Sequence, residues 1–150
     1  MTDPVIGYKL LTWRNGRLCS LVYRSYWSRR NRLLTVNSNC GGVGSRFELM
    51  RKKARHYAEP ALNCTCGIYA VSNLDHLEGF YFSYEVMVVV RVAGFGTVIN
   101  AERGWRAGHA RITGLVAAFG NILNFSLADN LVDDLSKRFS IPVIDWDGGF

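Results

Sequence analysis

The chain has 150 residues, 49% of them hydrophobic and 20% charged, with a mean hydropathy near zero. That balance excludes a disordered tail or a glycine-periodic fibre and suffices for one domain, spanning 1–150, with a buried core. The net charge of +6 is unevenly placed: residues 1–75 hold twelve Lys/Arg against four Asp/Glu, and residues 76–150 hold six against eight.

The start, Met1-Thr-Asp-Pro-Val5, has neither the basic region nor the apolar stretch of a signal peptide, so the expected location is the cytoplasm. Ile6–Trp13 alternates loosely, meets Asn15-Gly16, and is followed by a second alternating run, Leu18–Tyr23. Asn-Gly between two such runs predicts a hairpin, because a type I′ turn needs positive φ at both central residues. Residues 28–45 read as a loop, interrupted by a short strand at Leu33–Val36.

Ser45 and Glu48 have the spacing of a capping box. They predict a helix from Arg46 to about Tyr57, with Phe47, Met50 and Ala54 on one face, ending before Pro60. Ile68–Val71 reads as a strand and Asn73–Glu78 as a single helical turn.

Glu85–Ala93 is a nearly unbroken β-branched run, the pattern of a strand buried on both faces. Within it, Val86, Val88, Val90 and Val92 are expected on one face, Met87 and Val89 on the other, and Arg91 near an end. Its longest continuous apolar stretch, Val86–Val90, is far below the about 20 residues of a membrane-spanning helix. Gly94 and Gly96 around Phe95 predict a bulge, with strand resuming over Thr97–Asn100, and Gly104 turns the chain before Trp105. Ser126 and Asp129 cap a helix over Leu127–Phe139 whose Leu127, Leu131 and Leu135 form a stripe. A final strand, Val143–Trp146, follows Pro142. The order β-β-α-β-β-β-α-β predicts an α+β fold, a mainly antiparallel sheet with an N-terminal hairpin and two packed helices.

Three constellations carry possible chemistry. Cys64 and Cys66 flank Thr65, and with His56 and Cys40 they offer a Cys₃His set for a structural zinc ion. The other reading is buried cytoplasmic thiols beside an incidental histidine, and Cys19 reads as a core residue. Between Arg14 and Arg55 stand eleven basic residues and one acid, Glu48, interleaved with Tyr23, Tyr26 and Trp27. Arginines for phosphates and aromatics for bases are the materials of a nucleic-acid surface, here Arg24, Trp27, Arg29, Arg30, Arg32, Lys52 and Lys53. The alternative is a solvated hairpin end with Trp27 turned inward. Finally, Glu102 and His109 could serve acid–base chemistry beside Arg103 and Arg106.

The string Cys64-Thr-Cys-Gly-Ile-Tyr-Ala70 follows His56 and Glu59-Pro60, and precedes Val90-Arg-Val-Ala-Gly-Phe-Gly96, Val98 and Glu102-Arg-Gly-Trp-Arg-Ala107. With Gly7-Tyr-Lys9 and Asn15-Gly16…Cys19-Ser20 ahead of it, this pattern resembles a family of small uncharacterised proteins of actinobacteria and their phages, over about residues 6–107. Departures are Phe95, where a tryptophan is usual, and the basic stretch Arg46–Arg55. The resemblance implies no reaction. It implies a phage-encoded accessory protein, and the expectation is a binding module for a host protein or nucleic acid, with no membrane partner. The alternative is a small enzyme using Cys64 or Cys66 with His56, or Glu102 with His109, on an anionic substrate.

Overall fold

The computed structural model describes residues 3–20, 27–30, 33–37, 67–77, 86–120 and 125–145. The expected hairpin is present as β1 (Val5–Arg14) and β2 (Arg17–Ser20). Asn15 and Gly16 lie at φ 53° and 72°, a doubly left-handed turn that asparagine tolerates and that glycine, with no Cβ, adopts without strain. Next come β3 (Ser28–Arg30), β4 (Leu33–Asn37), β5 (Ile68–Val71) and a 3₁₀ turn at Leu74–Leu77. Two long strands, β6 (Val86–Asn100) and β7 (Gly104–Phe119), precede the helix α1 (Phe125–Phe139).

All pairings between these strands are antiparallel. Along one edge β1 pairs with β6, from Val5↔Gly94 to Trp13↔Val86. Its other edge takes β2 and, at Tyr8↔Val71, β5. Strand β7 likewise gives one edge to β6 and the other to β5 and β4. Since β5 meets β1 and β7 on the edges opposite β6, the ring β1–β6–β7–β5 closes. A second link, Trp27 N–H to the Leu18 carbonyl at 2.9 Å, joins β2 to the approach of β3. The sheet thus curls into a barrel with few free edges.

Strand β6 is the centre of the molecule. Val86, Val88, Val90 and Val92 face a core shared with Leu11, Trp105 and Leu115, while Met87 and Val89 pack on the other face with Leu10, Leu77 and Val116. Helix α1 lays Leu131 and Leu135 into the first core. On the second face the turn at Leu74–Leu77 and Ile144 cover the sheet. Arg91 departs from expectation. The strand continues nine residues beyond it, and its guanidinium donates from Nε to Thr113 Oγ1 at 3.0 Å and from Nη2 to the Thr113 carbonyl at 3.2 Å. The expected bulge is there too: pairing shifts between Phe95 and Val98, with Gly96 at φ 79°.

The fold class needs correction. Among the described residues the chain is mostly antiparallel sheet with a single α-helix, not a sheet with two packed helices. The segment 46–57, expected as the first helix, lies outside those residues. Strand β7, 16 residues long, was not expected at all; Gly104 was read only as a turn before Trp105. Ser28–Arg30, expected as loop, is a strand paired with β4. At the C-terminal end, Val143 makes only an isolated parallel bridge to Leu115.

Candidate functional site

The hairpin turn, the approach to β3 and the last turn of α1 meet at one end of the barrel. The register of the hairpin sets Arg14 directly opposite Arg17. Like charges so placed repel, and the pair concentrates positive potential at the turn. Helix α1 brings Lys137 and Arg138 in its last turn, where cations complement the negative end of the helix dipole. Ser140 at φ 55° closes that helix, and its geometry lets the Ile141 N–H donate to the Ser136 carbonyl at 3.2 Å.

Between these elements lies a recess of about 370 Å³. Its rim carries Arg17 and Arg138, its walls Trp13, Trp27, Leu34 and Phe139, and among the described residues no carboxylate lines it. The Arg138 guanidinium sits 5.3 Å from the centre of the Phe139 ring, which holds the cation at the mouth.

At the opposite end a second cavity, of about 360 Å³, opens between β1, β5 and the hairpin joining β6 to β7. Lys9 lines it from β1, and Arg103 and Arg106 line it from the hairpin. The Lys9 ammonium donates to the Tyr69 carbonyl at 2.7 Å, and burial pushes its pKa down to about 8. The side chain as a whole retains some solvent contact, consistent with an amine facing an open cavity.

The residues expected to act divide in three. Trp27 corrects the reading that placed it on a stacking face: it is 3% exposed, and its indole donates to Ser20 Oγ at 3.1 Å. Arg29 and Arg30 occupy consecutive backbone positions of β3. Arg24, Arg32, Lys52 and Lys53, with Cys40, His56, Cys64 and Cys66, lie outside the described residues. Among the described residues no group of three or more His, Cys, Asp or Glu gathers as a metal site. Cys19 is a buried free thiol, as a core residue would be.

Glu102 and His109 are not brought together. Glu102 sits in the hairpin tip, which the Ala101 N–H closes onto the Gly104 carbonyl at 2.8 Å. His109 is four residues along β7 from Trp105, roughly 13 Å at strand rise. There it stacks on Phe95, ring centres 5.3 Å apart.

Sequence reasoning overlooked Lys9, Arg138 and Phe139. Lys9 had a signal, a lone cation at an inward position of an alternating strand, but only the closure of β5 onto β1 turns that position into a cavity wall.

No family model matches the chain, and no curated protein and no solved structure matches it. No helix among the described residues is long and apolar enough to cross a membrane.

Proposed function

We propose that this protein is a non-catalytic binding module whose basic hairpin end engages the phosphate backbone of a nucleic acid. The observation that carries the reading is the recess beside the hairpin, rimmed by Arg17 and Arg138 and walled by aromatic rings. It extends the one-sided charge of Arg14–Arg55, in which eleven basic residues accompany one acid. Arginine outnumbers lysine fourteen to four in the chain, a bias suited to bidentate phosphate contacts. Arg24, Arg29, Arg30, Arg32, Lys52 and Lys53 are the further cations of that stretch which this reading assigns to the nucleic acid. A phage-encoded accessory role in an actinobacterial host, acting in its cytoplasm, is the setting that the family resemblance supports.

The test is fluorescence anisotropy of a labelled short single-stranded oligonucleotide. Binding should loosen steeply between about 50 and 200 mM salt, because each neutralised phosphate releases condensed counterion. Arg17→Glu with Arg138→Glu, and separately Arg29→Glu with Arg30→Glu, should each weaken it at least tenfold without changing the near-UV circular dichroism. Oligonucleotide binding that ignores both reversals refutes the proposal. A lysate partner that survives nuclease treatment, with no oligonucleotide binding, replaces nucleic acid by an acidic host protein.

The cysteines enter this reading as a structural zinc set of Cys40, His56, Cys64 and Cys66. Purified protein should then hold about one equivalent of zinc, and Cys66→Ser should lose the metal and lower Tm. Fully folded, metal-free protein would rule the zinc set out.

A further inference from the structure

The cavity at the other end of the barrel has a different chemistry. Its walls are apolar, built from Leu10, Val71, Leu77, Ile99 and the Trp105 ring. Lys9 enters from β1, opposite Val90 in the β6 register, and Arg103 and Arg106 stand on the hairpin side. Among the described residues no Asp or Glu lines the cavity. An ammonium held among protein atoms asks for an opposite charge, and the partner that the fold supplies to Lys9 is one neutral carbonyl, that of Tyr69. Three cations, no carboxylate among the described lining residues and an apolar interior describe a container for a molecule with one anionic end and one greasy end. Its volume of about 360 Å³ falls within the range of small-molecule sites.

We propose that this cavity binds a small amphipathic monocarboxylate, its carboxylate on Lys9 with Arg103 and Arg106 beside it, and its apolar body along Leu10, Val71 and Leu77. The carboxylate gives Lys9 the charge partner that the described residues do not. The arginines act from the rim, where a charge steers the approaching anion. Burial of the apolar body supplies the remainder of the affinity.

Calorimetric titration of the full chain with sodium octanoate, and separately with 1-octanol, tests the assignment. Octanoate should bind at one site at least tenfold more tightly than the neutral alcohol. Lys9→Met, which fills the same space with an uncharged side chain, should abolish that preference while leaving octanol binding in place. Arg103→Gln, on an exposed hairpin residue, provides a variant whose folding is not in question, and it should weaken octanoate about threefold or more. Equal affinity for acid and alcohol overturns the proposal, as does octanoate binding unchanged in either folded variant, or no binding of either probe. The Arg17→Glu, Arg138→Glu protein should bind octanoate as the parent chain does, so this site and the hairpin end stand or fall separately.

Discussion

Trp105 shows how single residues hold the barrel shut. Its ring is 2% exposed, and its indole N–H donates to the Ile6 carbonyl at 3.1 Å, tying β7 to β1 across the space between them. The ring fits because Gly7 and Gly94 leave room on either side. A Cβ on Gly7 would come within 2.7 Å of the indole nitrogen, and one on Gly94 would overlap the six-membered ring. Gly94→Ala is therefore expected to destabilise by about 1–3 kcal/mol, the usual scale of overpacking, read from urea unfolding.

Lys9 makes the opposite kind of contribution. Burial lowers its pKa from 10.5 to about 8. Between those pH values the unfolded chain holds a proton that the folded chain has lost, so folding gains stability as pH rises through the window. Below about pH 8 the cost of burying the charge is fully present. Lys9→Met should thus stabilise the unliganded protein by about 1–3 kcal/mol at pH 7. That advantage should shrink as the pH is raised from about 8 to 10.5, measured as the difference in unfolding free energy between the two proteins. Tyr8, Tyr69, Arg103 and Arg106 also face the cavity, and comparison with the methionine variant isolates the lysine's share.

At the scale of elements, β6 and β7 illustrate what a local pattern conveys. Strand β6 was legible because five consecutive apolar residues, four of them valine, disfavour a helix and suit a two-sided core. Val88 is fully buried between layers, and Val88→Ala is expected to cost about 1–3 kcal/mol through lost burial and the cavity left behind. Strand β7 pairs with β6 just as extensively but went unread. Its Ala-Gly-His-Ala-Arg-Ile-Thr-Gly-Leu stretch carries small residues in place of β-branched ones, and pairing irregularities near Thr113 and Val116 break its alternation. Its partner imposes the conformation. Helix α1 was readable from its leucine spacing, and its end stores a small strain. Ser140 is left-handed at φ 55°, so Ser140→Gly should raise stability by about 0.5–1 kcal/mol, seen as a higher Tm.

Across the whole molecule stability is unevenly held. Strand β6 is paired on both edges and buried on both faces, whereas β5 joins β1 through the single pair Tyr8↔Val71. Hydrogen exchange should find the Val88–Val92 amides opening only with global unfolding, and the Ile68–Val71 amides exchanging at least about tenfold faster through local opening of that seam. Octanoate, if it fills the cavity beside β5, should slow the latter set and leave the former unchanged.

What residues 3–20, 68–77 and 86–100 would become was decided by their own chemistry: a turn that needs Asn-Gly, a strand that needs valines, a bulge that needs glycine. These are local preferences, visible wherever a few neighbours suffice to choose a backbone conformation. Closure of the barrel, the burial of Trp27, the separation of Glu102 from His109 and both cavities were decided by tertiary structure. Each depends on which strand edge meets which. Such pairings bring together residues as far apart as Lys9 and Tyr69, or Arg17 and Arg138, and no spacing within a segment records them.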